Sequence, residues 1–192
     1  QLKGTIDIYS ELLPNDKEFD KLIDVLADLE STRVSELASA KIYLNRGSTK
    51  LKNDLNKESL VFFGKAVRKL AKEETQDEFY FCLMLLSEAY SNLGLHWASN
   101  NCVISAINLY INEFFTTGTI NRRLYNSVEQ ILKNEVILGR IPILLAWYEL
   151  FNVIKYYFES EINIENEEMS IENLIDACLS TRLLNTDFES FK

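Results

Sequence analysis

Residues 79–110 read FYFCLMLLSEAYSNLGLHWASNNCVISAINLY, and they carry the strongest helical pattern of the chain. Apolar side chains recur every three or four residues up to Gly94, and the same spacing resumes at Trp97, which predicts two helices joined by a tight turn. Glycine suits the left-handed conformation in which many helices end. The stretch therefore predicts an antiparallel hairpin whose first helix ends at Gly94 and whose second helix runs to about Phe115.

The hairpin contains a pattern of small and bulky side chains that also occurs upstream. The first helices of the two copies share the spacing of Ala40-x-x-Tyr43-x-x-x-Gly47 and Ser87-x-x-Tyr90-x-x-x-Gly94. The second helices share the spacing of Ser59-x-x-x-Phe63-x-x-Ala66 and Ser99-x-x-x-Val103-x-x-Ala106. A small side chain lets the next helix approach closely, and an aromatic ring fills the space between helices. The pattern predicts two copies of one helical hairpin.

Residues 80–113 resemble a tetratricopeptide repeat through the unbroken spacing from Leu83 to Ala106, and the preceding hairpin resembles it more weakly. The resemblance implies an all-α fold of stacked antiparallel hairpins, an α-solenoid of about seven or eight helices. In such a stack the first helix of each pair forms a concave face on which a partner peptide binds. The groove residues implied for the better copy are Phe81, Met84, Glu88, Ser91 and Asn92.

Helical spacing is also present outside this hairpin. The further helices are predicted at about residues 18–30, 34–47, 57–74, 119–138 and 141–158. Asn15 and Thr119 carry side chains that cap helix N-termini, while Gly47, Gly118 and Gly139 are predicted to end helices. The whole chain is therefore predicted to be mostly helix.

The remaining segments are predicted as connections. Residues 48–56 form the longest loop predicted in the first half, and Ser170 is predicted to start a short final helix. The organisation predicted from these segments is a helical-repeat domain over 1–158, followed over 159–192 by an acidic linker and a short helix that packs on or extends that domain. Because the chain begins at Gln1 and not at Met, we expect a fragment of a larger protein.

Composition excludes several classes of protein. The 192 residues are 47% hydrophobic and 11% aromatic, which argues against disorder, and 6 Gly with 2 Pro are too few for an all-β chain. The three cysteines are widely spaced, so a disulfide framework and a zinc site are disfavoured, and reduced thiols in a cytoplasmic protein are expected. Residues 141–158 are apolar enough to raise a membrane span, but Glu149, Asn152 and Lys155 form a polar strip that favours a helix buried in protein.

Charge is uneven along the chain, whose formal net charge is −9. Residues 41–72 are strongly basic, and Lys65, Arg68, Lys69 and Lys72 are spaced to lie on one helix face. Two interpretations remain open: a docking face for an acidic partner, or the solvated face of an amphipathic helix. The overall acidity disfavours nucleic acid as a partner, since binding would rest on this one segment.

No sequence motif of a common enzyme class is found. His96 is the sole histidine, and it lies in the predicted turn after Gly94, so a histidine-based triad would depend on it alone. We therefore expect no catalytic residue, metal or cofactor in this segment. The leading hypothesis is an interaction domain that binds a protein, a peptide or a neighbouring domain of its own chain. The alternative is a regulatory, sensor or oligomerisation segment of a large multidomain signalling ATPase or bacterial defence protein.

Overall fold

The computed structural model describes residues 2–71, 76–118 and 121–158, together with Asn173 and Asp176. Over these residues the protein is all-α, with eight helices and no strand. The helices are α1 (Leu2–Leu12), α2 (Lys17–Arg33), α3 (Glu36–Lys52), α4 (Asn56–Leu70), α5 (Gln76–Asn92), α6 (His96–Thr117), α7 (Arg122–Leu138) and α8 (Ile141–Phe158). The chain divides into two compact units, Gln1–Cys102 and Val103–Lys192.

The first unit is a stack of consecutive helices. From α2 to α5 each helix packs on the next one, and α3 also contacts α1 and α5. Short connections join the packed neighbours, which is the arrangement of antiparallel helical hairpins. The buried side chains of its core are Ile23, Ala27, Ala40, Tyr43, Leu44, Leu51, Phe62, Phe63, Ala66, Leu70, Cys82, Leu86 and Ala89. The predicted all-α fold of stacked hairpins is thus confirmed.

The second unit is built from the later part of α6 and from α7 and α8. Helices α7 and α8 pack on each other, and the Tyr125 and Phe151 ring centroids lie 5.1 Å apart. At the turn between them, Arg140 Nε donates to Glu135 Oε2 over 2.7 Å, so the buried Glu135 carboxylate has a cationic partner. The other buried apolar residues of this unit are Val103, Ala106, Ile107, Tyr110, Leu124, Val128, Ile131, Leu132, Leu144 and Ile154.

Three glycines end helices as the sequence predicts. Gly94, Gly118 and Gly139 have φ values of 73°, 68° and 64°, in the left-handed region that suits glycine. At the end of α5 the amide of Leu95 donates to the Tyr90 carbonyl and that of Gly94 donates to the Ser91 carbonyl. These two hydrogen bonds end α5 and direct the chain into α6, as the predicted hairpin requires.

Gly47 does not end a helix, and the loop predicted at residues 48–56 is wrong. Helix α3 continues through Gly47 to Lys52, and only residues 53–55 connect it to α4. A Cβ at Gly47 would lie 2.6 Å from Cε1 of Phe63. The glycine is therefore needed for the close approach of α4, and the left-handed residue of this turn is Asp54, at φ 60°.

The helix caps also differ from the prediction. Asp16, not Asn15, caps α2, because its carboxylate accepts from the amides of Glu18 and Phe19. Asn121 caps α7 by accepting from the Arg123 amide, whereas Thr119 lies outside the described residues. The predicted linker and final helix in 159–192 lie almost wholly outside the described residues as well.

Helix α8 corresponds to residues 141–158, whose apolar composition suggests a membrane span. In the described part of the chain, no helix combines the length and apolar character needed to cross a bilayer. Its exposed side is wider than the predicted polar strip, because Leu145, Val153 and Tyr156 are exposed beside Glu149 and Asn152. The side chains that α8 buries are Leu144, Phe151 and Ile154.

Candidate functional site

The outward face of α5 carries most of the predicted groove residues. The Phe81 side chain is 54% exposed, Glu88 and Asn92 are exposed, and Met84 is half-buried. These positions are three or four residues apart and so share one side of the helix. The opposite side is buried, with Cys82, Leu83, Leu86 and Ala89 facing the interior. The structure thus brings an aromatic ring, a thioether and a carboxylate together on a surface.

Ser91, the fifth predicted groove residue, belongs to a cluster of serine hydroxyls inside the α5–α6 hairpin. Its Oγ donates to Ser99 Oγ over 2.9 Å, and Ser87 Oγ lies 2.7 Å from the same Ser99 oxygen. Ser87 and Ser99 are buried, as the close-approach pattern predicts. Ser91 is therefore positioned to hold the hairpin together.

Asn92 lies at the C-terminal end of the α5 face. Its Nδ2 donates to Asn56 Oδ1 over 3.1 Å, which links it to the start of α4. Both amides are near solvent, so this bond contributes little to stability. The amide of Asn92 is thus oriented by a neighbour and remains at the edge of the surface formed by Phe81, Met84 and Glu88.

Helix α3 extends the α5 face on one side. Lys41 Nζ lies 3.2 Å from Glu78 Oε1, and Glu78 is one turn from Phe81. Asn45, one turn beyond Lys41 on α3, is exposed. The surface of α3 and α5 therefore displays charges of both signs around one exposed ring, which is the composition of a polar rim around an apolar centre.

The predicted basic face of α4 is largely neutralised by neighbouring helices. Lys65 Nζ lies 2.5 Å from Asp24 Oδ1 and also sits over the Tyr43 and Phe62 rings, at 5.5 and 5.2 Å. Lys69 Nζ lies 2.7 Å from Glu36 Oε2. Two of the predicted cations thus tie α4 to α2 and α3.

Arg68 and Lys72 complete the predicted basic face. Arg68 is exposed and its Nε donates to the Gly64 carbonyl of its own helix, while Lys72 lies outside the described residues. A cation whose charge is offset by a neighbouring carboxylate attracts an acidic partner less strongly. The basic docking face stays a prediction that rests mainly on Arg68.

A buried charge cluster was missed by the sequence reasoning. Arg46 is fully buried; its guanidinium donates to Asp20 Oδ1 over 2.7 Å, to the Ser10 carbonyl over 3.1 Å and to the Leu13 carbonyl over 2.9 Å. Lys50 Nζ lies 2.8 Å from Asp20 Oδ2. The two cations meet one carboxylate and the carbonyls at the end of α1, whose dipoles supply further negative charge.

A cleft lies beside this cluster, between α1, α2 and α3. Its volume is about 340 Å³. The lining side chains are Ile6, Ser10, Ile23, Leu26, Ser35, Leu37, Ala38, Lys41, Ile42, Asn45 and Arg46. The apolar spacing of α2 and α3 predicted buried side chains here, but no sequence signal showed that α1 leaves space between them.

Two thiols, Cys82 and Cys102, and the sole histidine lie in the described part of the chain. Burial raises the pKa of Cys82 to about 12, with Cys102 adding to it, and burial raises the pKa of Cys102 to about 11. Both thiols are thus protonated and weakly nucleophilic near neutral pH. His96 opens α6, and its buried Nδ1 has no hydrogen-bond partner within the described part of the chain.

No group of three His, Cys, Asp or Glu side chains that could hold a metal ion occurs among the residues that the structure describes.

A comparison with protein-family models finds no match, and a search of curated proteins also finds none. The surfaces themselves are therefore the basis for any functional proposal.

Proposed function

We propose that this chain is a non-catalytic helical-repeat domain of the tetratricopeptide-like type, which binds a partner protein, a peptide or a neighbouring domain of its own chain. The observation that carries the proposal is the half-exposed Phe81 ring on a helix whose other side is buried. Covering an exposed aromatic ring on binding is favourable, because aromatic side chains bury a large apolar area.

The surroundings of Phe81 support a peptide as the partner. Met84 supplies a flexible and polarisable neighbour that adapts to different apolar side chains. Glu88, together with the Lys41–Glu78 pair on the α3 side, supplies charge that sets the register of a bound chain. An extended or amphipathic peptide would meet an apolar centre with a polar rim. A cytoplasmic location belongs to the same proposal.

A phage-displayed library of random peptides tests this proposal. We expect selected peptides to bind the wild type and to bind Met84→Glu and Glu88→Arg at least about tenfold more weakly, because each change places a wrong charge against the bound peptide. Fluorescence anisotropy with synthetic copies of the peptides measures the affinities, and circular dichroism follows the melting temperature.

The matched control is Val25→Glu, which introduces the same charge at an exposed apolar position of α2. We expect it to leave peptide affinity unchanged. Peptides that bind both α5 variants as tightly as the wild type would remove this face from consideration, even if the chain binds peptides elsewhere.

A second candidate function, self-association, is favoured by an observation in the second unit. Phe115 and Tyr156 are 72% and 75% exposed, and the ring centroids of Phe114 and Tyr157 lie 5.9 Å apart. Phe114 contacts Phe115, and Tyr157 contacts Tyr156, so the four rings form one aromatic cluster. Exposed clusters of this kind mark interfaces, which fits an oligomerisation segment of a larger protein.

A further inference from the structure

We propose that the cleft between α1, α2 and α3 binds a medium-chain aliphatic carboxylate, that is, a free fatty acid, with its chain inside the cleft and its carboxylate at Lys41. The apolar walls of the cleft are separate from the α5 face, although Lys41 at its entrance also pairs with Glu78 at the rim of that face. The proposal does not rest on peptide binding, and decanoate binding is measured without a peptide. The cleft volume of about 340 Å³ lies within the range of small-molecule sites, which starts near 300 Å³.

The walls of the cleft determine the chemical class of the ligand. Three helices contribute aliphatic side chains to it, namely Ile6, Ile23, Leu26, Leu37 and Ile42. A sugar or nucleotide would leave hydroxyl and amide groups against these walls without hydrogen bonds, at a cost of about 1–3 kcal/mol for each group. An alkyl chain has no such groups, so it suits the walls best.

The polar groups of the cleft lie on α3, apart from Ser10 of α1, whose Oγ accepts from Arg46 and donates to Thr49 Oγ1. Ser35 Oγ is occupied as the cap of α3, and the Arg46 guanidinium is occupied by Asp20 and by the α1 carbonyls. Lys41 and Asn45 are exposed and lie one helical turn apart, and the Lys41 ammonium contacts Glu78 of α5. An ammonium and an amide at the entrance of an apolar cleft match a carboxylate head group.

Charge complementarity favours an anion over a neutral ligand. None of the described residues that line the cleft is an aspartate or a glutamate. Lys41 is paired with Glu78, but the Lys41 side chain is 55% exposed, and exposed pairs of this kind contribute little. Lys41 is therefore able to turn toward a carboxylate that arrives at the entrance.

Isothermal titration calorimetry with decanoate and with decan-1-ol tests the proposal on the full chain. We expect decanoate to bind the wild type with a Kd below about 1 mM. Ala38→Phe, which fills the cleft, should weaken binding at least about tenfold, and Lys41→Met should weaken decanoate about fivefold while changing decan-1-ol less than about twofold. Lys52→Met, an exposed lysine of α3 away from the cleft, should leave both unchanged.

A second measurement covers the case in which Ala38→Phe disturbs folding. In methyl NMR spectra of the wild type, decanoate should shift the Ile23 and Ile42 signals and leave those of Ile131 and Ile154, buried in the second unit, in place. Absence of binding up to about 1 mM, or methyl shifts that do not include Ile23 and Ile42, would overturn the proposal. Equal affinity of Lys41→Met and wild type for decanoate would overturn the assigned carboxylate position.

Discussion

Gly47 shows how one residue can carry a role opposite to the one that its type suggests. Glycine commonly ends helices, yet Gly47 lies inside α3 because the Phe63 ring occupies the place of a side chain. The repeat pattern pairs Gly47 with Gly94 as glycines that end a helix, and of the two only Gly94 does so. Sequence alone does not distinguish a glycine that permits a left-handed turn from one that permits contact between helices.

The Gly47→Ala variant tests this role. The added methyl group would lie 2.6 and 2.7 Å from Cε1 and Cδ1 of Phe63, so we expect a loss of about 1–3 kcal/mol in the free energy of unfolding despite the better helix propensity of alanine. Urea denaturation followed by circular dichroism measures the change.

Gly64→Ala is the matched control, because a Cβ at this position of α4 meets nothing within 4 Å. This variant should gain about 0.5–1 kcal/mol from helix propensity. If both alanine variants stabilise the protein, the close contact between Gly47 and Phe63 does not limit the approach of α4.

At the scale of elements, the sequence predicts the positions of the later helices better than the side-chain contacts that join the helices. Apolar spacing and glycines located α5, α6, α7 and α8 within a few residues. The sequence pattern does not indicate that Arg46 and Lys50 are buried, because basic residues are usually solvated. Their burial becomes favourable only after folding brings Asp20 and the end of α1 against α3.

We expect Arg46→Met to destabilise the first unit by about 3 kcal/mol. The change removes the partner of the Ser10 and Leu13 carbonyls and one of the two cations at Asp20, and breaking buried pairs of this type costs about 3–5 kcal/mol. Partial exposure of Asp20 favours the lower end of that range. Urea denaturation measures the loss.

Arg68→Met provides the control at an exposed arginine of α4, where the change should stay within about 0.5 kcal/mol. Arg46→Lys separates charge from geometry, because lysine keeps the charge but lacks the planar fork that reaches two carbonyls at once. Similar stability of Arg46→Met and wild type would show that the cluster is dispensable for attaching α1.

At the scale of the whole molecule, each unit has its own buried core and its own exposed aromatic residues. The first unit exposes Tyr9, Phe81 and Trp97, and the second exposes Phe115, Tyr156 and Tyr157. A fully covered aromatic side chain buries about 150–250 Å², so covering Phe115 and Tyr156, at 72% and 75% exposure, would bury on the order of 200–400 Å². This size is the reason to test self-association.

We expect the wild type to self-associate with rising concentration and the double variant Phe115→Ser, Tyr156→Ser to remain monomeric. The reason is that covering these rings would supply the main favourable free energy of association. Sedimentation velocity measures the association state of the wild type and of the double variant. Leu22→Ser, which removes an exposed side chain of α2 in the first unit, should behave as the wild type. A wild type that stays monomeric at every concentration contradicts the second candidate function.

Local sequence suffices for the helical class, for the C-terminal ends of α5, α6 and α7 and for the close approach of Ser87 and Ser99, since these depend on local spacing and on backbone preferences of single residues. Folding sets three further features: Gly47 receives the Phe63 ring, Lys65 and Lys69 pair with carboxylates, and Arg46 is buried beside an apolar cleft. Each of these depends on side chains 16 or more positions apart, and no local pattern specifies which of them folding brings together.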